Sequence, residues 1–183
     1  MSNRTIIWMT GLSGAGKTTL AKGLLNLYNS NDISATILDG DNLRNGINSD
    51  LGFEKKDRVE NIRRVTEIAK LFSLADVIPI ISLISPYLTE RENVRKQFEH
   101  FHFLEVYIKC SIEKCEERDP KGLYRKVRLN QISNFTGISD IYEPPINPDI
   151  VIDTENDSYE SCLMKLWQIA NNKFGEAKTK INS

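Results

Sequence analysis

Apolar positions along this chain fall into short unbroken runs that alternate with longer stretches spaced three or four residues apart. Ile6 to Met9 is the first run and predicts a strand that ends in Thr10 and Gly11. From Lys17 to Tyr28, Leu20, Leu24 and Leu27 form a stripe at helical spacing, which Asn29 to Asp32 interrupts. Ser34 to Leu38 reads as a second strand and delivers Asp39, Gly40 and Asp41 at its carboxyl end. Asp57 to Ala75 carries Val59, Ile62, Val65, Ile68, Ala69 and Phe72 on one face of a long amphipathic helix. Val77 to Ile84 is almost wholly apolar, as suits a strand buried on both faces of a parallel sheet. A short helix over Thr89 to Phe98 and a strand over Phe103 to Ile108 come next. Ser111 is placed to cap a helix containing Glu113 to Glu117, and Asp119 to Gly122 stops it. Leu123 to Pro148 has no sustained strand pattern and many turn formers; Asp149 to Ile152 gives a final strand, Tyr159 to Ala170 a final helix.

Strands alternating with helices mean crossover connections, hence an α/β fold with a doubly wound central parallel sheet of about five strands and helices on both faces. The chain has 183 residues, which suits one domain over 1–183. With 24 basic and 25 acidic side chains the net charge is -1, which gives no whole-chain reason to expect nucleic acid or a membrane surface as partner. No apolar run reaches the roughly 18–20 residues of a transmembrane helix, and no cleavable leader precedes Ile6, so the expectation is a cytoplasmic protein. Cys110, Cys115 and Cys162 form no metal-binding or disulfide pattern and read as buried thiols. His100 and His102 lack a second ligand cluster and read as solvated.

The first strand and first helix enclose Gly11, Leu12, Ser13, Gly14, Ala15, Gly16, Lys17 and Thr18, with Thr19 following. This fits G-x-x-x-x-G-K-[ST], in which glycines let consecutive N–H groups turn inward on phosphate oxygens. Lys17 can bridge the β- and γ-phosphates of ATP, and the Thr18 hydroxyl can hold Mg²⁺. The motif alone leaves kinase, GTPase and ATPase open. No Asn-Lys-x-Asp base-reading element follows, and the chain is short for a motor or transport ATPase, which leaves a small-molecule kinase.

Asp39 and Asp41 stand at a strand end, where sheets of this kind present ligands. Asp41 is the better candidate for the base that accepts a hydroxyl proton and Asp39 for metal support, with the assignment reversible. The alternative for Asp41 is a cap on a following short helix. Arg44, Arg58, Asn61, Arg63 and Arg64 are anion binders by type. Arg58 and Asn61 share a helix face, read as roughly opposite the apolar stripe, while Arg63 and Arg64 read as solvated surface. Phe53 is either a core plug or a base-stacking platform. Arg118, Lys121, Arg125 and Lys126 form a second cationic run beside the irregular segment, as expected of a mobile lid over 118–148 that excludes water from a transferring phosphate.

Taken together, the chain closely resembles the adenylylsulfate kinase family. The resemblance rests on Gly11 to Thr19, Leu38-Asp-Gly-Asp-Asn-Leu-Arg44, Asp50-Leu-Gly-Phe53, Asp57-Arg-Val-Glu-Asn-Ile-Arg-Arg64, Ile84-Ser-Pro-Tyr87, Arg118-Asp-Pro-Lys-Gly-Leu-Tyr124 and Asn134-Phe-Thr-Gly137. It implies transfer of the γ-phosphoryl group of MgATP to the ribose 3′-hydroxyl of adenylyl sulfate. It also implies an acceptor adenine between Phe53 and Phe135, with Arg44, Arg58 and Asn61 on the phosphosulfate and ribose. Ile84, Ser85, Lys121 and Leu123 would line that pocket, Lys121 and Lys17 would serve catalysis, and Arg118 would lie near the ATP adenine. Ser85 matches a serine able to carry phosphate in the family, and a homodimer is implied. Two passages depart from the pattern on what reads as the acceptor side: Ser82-Leu-Ile84 stands for Ala-Phe-Ile, and Ser139-Asp-Ile141 precedes Tyr142. The few residues Met1 to Thr5 before the first strand bear on the implied dimer, and the two departures bear on the acceptor; two alternatives stay in view. One is a 3′-hydroxyl kinase for a cytidine diphosphate derivative in capsule biosynthesis; the other is a non-catalytic, nucleotide-responsive regulator.

Overall fold

The computed structural model describes residues 4–179, with side chains through residue 171. Met1 to Asn3 lie outside the described residues. Five strands, β1 (Thr5–Thr10), β2 (Ala35–Asp39), β3 (Ile78–Ser82), β4 (His102–Lys109) and β5 (Ile150–Asp153), pair in parallel in the order β2-β3-β1-β4-β5. The chain order reverses at β1, which is flanked by β3 and β4, so its carboxyl end is the switch point at which open α/β sheets hold ligands.

The helices are α1 (Lys17–Asn29), α2 (Gly40–Arg44), α3 (Lys55–Leu74), α4 (Leu88–Gln97), α5 (Ile112–Arg118), α6 (Leu123–Arg128) and α7 (Tyr159–Thr179). Alternation along β1 separates two cores. Ile7 and Met9 join Leu104, Val106 and Ile80 under Leu20 and Leu24 of α1 and Leu166 of α7. Ile6 and Trp8 face Ile62, Val65 and Ala69 of α3 and Val94 of α4. Every residue of β1 is buried, as a central strand covered on both faces requires. Cys110, Cys115 and Cys162 are buried thiols, and His100 and His102 are exposed. Among the described residues no helix is long and apolar enough to cross a membrane.

Four expectations need correction. The apolar run over Val77 to Ile84 stays in the sheet only to Ser82, because the Thr10 hydroxyl takes the Ile84 carbonyl at 2.7 Å and the backbone then turns through Ser85 at φ 38°. The segment from Leu123 is helical to Arg128: Asp119 accepts from Tyr124 N and Arg125 N at 3.1 and 3.0 Å, while Tyr124 and Val127 are buried. Arg58 and Asn61 do not face away from the apolar stripe. They are buried on the same side of α3 as Ile62 and Val65. The final helix also continues past Ala170 to Thr179.

A buried charge fixes α4. Arg91 pairs with Glu105 of β4 at 3.0 Å and donates to the carbonyls of Ser85 and Glu143. Arg95 bridges Glu105 and Asp149 from a half-exposed position. Removing one partner of a buried pair strands the other, whereas exposed pairs are worth little. Arg91→Met is therefore expected to lower unfolding free energy by about 3–5 kcal/mol in urea titration, and Arg95→Met by about 1 kcal/mol or less. Equal losses would contradict this account.

Candidate active site

The loop after β1 is shaped by sterics before any side chain acts. Gly11 has φ 152°, and a Cβ there would stand 2.5 Å from the Ile108 carbonyl oxygen; at Gly14, φ 78°, it would stand 2.9 Å from that of Cys115. Only glycine fits both the torsions and the close approach to the β4–α5 corner. The Tyr124 hydroxyl donates to Ser13 O at 2.9 Å and the Thr154 hydroxyl to Ala15 O at 2.8 Å, so the loop is also braced from outside. Lys17 is buried and donates to the carbonyls of Gly11 and Leu12 at 2.9 and 2.8 Å. Burial pulls its ammonium pKa down to about 8.

At the next strand end, Asp39 accepts from the Thr18 hydroxyl at 2.8 Å and, through its other oxygen, from Asp41 N at 3.0 Å. It is thus Asp39, rather than Asp41, that caps α2. The Ser82 hydroxyl lies 3.3 Å from that of Thr18, across the register that pairs Ser82 with Asp39. The departure at Ser82 therefore falls on the Thr18 side of the cleft. No group of three or more His, Cys, Asp or Glu forms among the described residues. A hydroxyl and one carboxylate fit Mg²⁺, which keeps several waters and takes phosphate oxygens for the rest.

Asp41 is exposed, and its carboxylate takes the Lys121 ammonium. Arg44 donates to Leu51 O and Gly52 O at 3.1 and 2.7 Å and lies 4.4 Å from the centre of the Phe53 ring. That ring is 59% exposed, so it is no core plug. Phe135 is buried edge-on to Tyr124 at 4.9 Å. The two phenylalanines line one cavity without offering two open faces. Arg58 donates to Phe53 O at 2.9 Å, to the Thr136 hydroxyl and to Asn134 O, and pairs with Asp140 at 3.2 Å. It ties α3 to the segment bearing Phe135. Arg63 and Arg64 turn outward to Glu60, and Arg64 also holds Asp50. Ser85 is buried and accepts from the Trp8 indole at 3.2 Å. The Ser139 hydroxyl accepts from Phe135 N at 2.9 Å, and neither Ser139 nor Ile141 reaches the cavity wall. Arg118 donates to Thr154 O and lies 3.5 Å from the Cys110 sulfur.

Ser13, Gly14, Gly16, Lys17, Thr18 and Thr19 of the phosphate loop, with Asp39, Asp41, Arg44, Phe53, Arg58, Asn61, Ile84, Ser85, Arg118, Lys121, Leu123 and Phe135, border one cavity of about 1150 Å³, while Gly11, Leu12 and Ala15 do not reach its wall. That exceeds the upper end of about 1,000 Å³ usual for one small ligand. Along its wall Lys17, Lys22, Arg44, Arg58, Arg118 and Lys121 outnumber Asp39, Asp41 and Asp157. Sequence reasoning missed Thr154 and Tyr124, which brace the loop. Thr154 directly follows β5, and the rule that ligands meet strand carboxyl ends could have found it. Tyr124 closes the Arg118–Tyr124 block of the family resemblance, but nothing in that block points to the phosphate loop.

A phosphate loop at the switch point of a parallel sheet, with a paired carboxylate and a cationic second wall in the same cleft, defines an ATP-binding P-loop kinase. The adenylylsulphate kinase family model matches residues 3–153. The adenylyl-sulfate kinase of Oceanobacillus iheyensis is 49% identical over 161 residues, 88% of this chain and 81% of that one. That of Clostridium acetobutylicum is 51% identical over 158 residues, 86% and 78% of the two chains. The APS kinase CysC of Mycobacterium tuberculosis, solved with AMPPNP and APS, superposes with a TM-score of 0.85 at 39% identity, covering 90% of this chain and 95% of that one. The chain belongs to the adenylylsulfate kinase family.

The depressed Lys17 pKa has a measurable sign. Free protein at pH 8 holds the ammonium about half protonated, whereas a bound polyphosphate restores the full charge, so binding takes up about half a proton. Uptake should vanish below about pH 7, and affinity should fall as pH rises through about 8. Calorimetry of a non-hydrolysable ATP analogue in buffers of different ionisation enthalpy reads this directly. Lys17→Met should abolish the uptake, and wild-type binding at pH 8 without uptake would contradict the assignment.

Proposed function

We propose that this chain is an adenylylsulfate kinase, transferring the γ-phosphoryl group of ATP to the 3′-hydroxyl of adenylyl sulfate to give 3′-phosphoadenylyl sulfate and ADP. The observation that carries this reading is a single cavity bordered both by the phosphate loop and by the Arg44, Phe53, Arg58 and Asn61 wall, in a chain of this family. The loop from Gly11 to Thr19 binds the ATP phosphates through backbone N–H groups and Lys17, while Arg118 lies by the ATP adenine. Thr18 and Asp39 would hold Mg²⁺, which would neutralise phosphate charge.

Asp41 accepts the proton of the 3′-hydroxyl as the oxygen attacks. Lys121, already on the Asp41 carboxylate, supplies positive charge beside the transferring group. Arg44, Arg58 and Asn61 hold the phosphosulfate and ribose. Phe53 supplies the open stacking face for adenine, and Phe135 with Leu123, Ile84 and Ser85 closes the pocket around it. Residues 118–148 act as the lid of a single domain, with Lys121 as its exposed working tip and Arg58 as its fastening.

Purified protein with MgATP and adenylyl sulfate is expected to release ADP and form the 3′-phosphorylated product. The kcat/KM for adenylyl sulfate should exceed that for a cytidine diphosphate acceptor at least ~10-fold, because a pocket fitted to adenine leaves a cytosine with lost contacts. The reverse preference would overturn the substrate and leave the kinase chemistry standing. Asp41→Asn should lower kcat ~10²-fold or more while ATP affinity stays within ~3-fold. If Asp41→Asn stays fast and Asp39→Asn is dead, the two roles are exchanged.

A further inference from the structure

Asn61 borders the cavity from the second turn of α3, yet its amide is not free to choose which end it shows. Its Oδ1 accepts from the Nδ2 of Asn48 at 3.0 Å. Asn48 is fully buried in the loop after α2. The loop is held in turn: Asn48 N donates to Leu43 O at 2.9 Å, Leu51 N donates to Asn48 O at 3.1 Å, and Arg64 grips Ile47 O at 3.0 Å. With Oδ1 engaged, the Asn61 Nδ2 donates to no other described residue and is left for whatever enters the cavity.

A carboxamide is a donor at one end and an acceptor at the other, and its terminal torsion is soft, so the partner of one end decides the character of the other. The opposite arrangement, Asn61 donating to Asn48, would bury an unpartnered NH₂ on Asn48. The observed one leaves only its carbonyl oxygen without a partner, which is the smaller cost. We propose that Asn48 is a positioning residue that locks Asn61 as a hydrogen-bond donor. The acceptor nucleotide must then meet it with a lone-pair atom, an oxygen of its phosphosulfate or ribose, rather than with a hydroxyl or amino hydrogen. The inference rests on the reading of Asn61 as part of the acceptor wall.

Steady-state kinetics on four variants separates the two claims. Asn61→Ala should raise the KM for adenylyl sulfate ~10-fold, with the KM for ATP within ~2-fold. Asn48→Leu, close in size but unable to donate, should raise the same KM ~5-fold with kcat and ATP KM little changed. The double variant should be no worse than Asn61→Ala, because Asn48 acts only through Asn61. Asn61→Asp keeps the bond from Asn48 but shows the cavity an oxygen, so it should be at least as impaired as Asn61→Ala. An unaffected Asn61→Ala overturns the placement of Asn61 itself. Impaired Asn61→Ala with unaffected Asn48→Leu, or losses that multiply in the double variant, overturns the positioning role. Should Asn48→Leu not fold, Asn61→Asp decides, and wild-type acceptor KM in that variant overturns the donor orientation.

Discussion

The carboxylate of Asp39 accepts from Thr18 of α1 with one oxygen and from the first turn of α2 with the other. Those two elements have different tasks: α1 closes the phosphate loop, and α2 carries Asp41, the proposed base. Because Asp39 sits at the buried end of β2, in register with Ser82, its own position is set by the sheet. In the proposed transfer, the distance between phosphate and hydroxyl would thereby be set through one side chain and two helices, and in-line transfer depends strongly on that distance.

The two walls of the cleft are held by different means. Around ATP, the restraint is backbone: glycine torsions at Gly11 and Gly14, and carbonyl oxygens of Ile108 and Cys115 against them. Around the acceptor, side chains hold loops. Arg58 ties α3 to residues 134–140, Arg64 ties α3 to Asp50, and Arg91 ties α4 to Ser85 and Glu143. Each of these guanidiniums places donors of its fixed fork on main-chain, hydroxyl or carboxylate oxygens. Such contacts stiffen a loop without requiring a regular element.

The sheet, its strand boundaries to within a residue or two, and the phosphate loop were legible because burial on both faces writes continuous apolar runs such as Ile6 to Met9, and because the loop's spacing is dictated by phosphate geometry. α6 was not legible, since six residues rich in Arg and Lys carry no period and their cap, Asp119, lies outside the helix. The polar side of α3 misled for a different reason. Hydrophobic patterning equates polar with solvent, yet Arg58 and Asn61 point into a buried polar cleft and so occupy the face that Ile62 and Val65 share. Contacts between distant segments, such as Thr154 against Ala15, follow from strand order and are absent from local sequence.

These differences explain how a chain with a net charge of -1 can hold two polyanions. Several of its acids are held in pairs away from the cavity wall: Glu60 with Arg63 and Arg64, Glu116 with Arg128, Glu105 with Arg91 and Arg95, Asp153 with Lys109. The cavity keeps a surplus of cations, and Lys17 is there at a cost, its charge opposed by burial until a phosphate faces it. Charge that burial disfavours without a ligand and a phosphate restores makes binding and ionisation one event. Global charge is therefore a poor guide to what such a cleft binds; the partners left to each cation inside it are the better one.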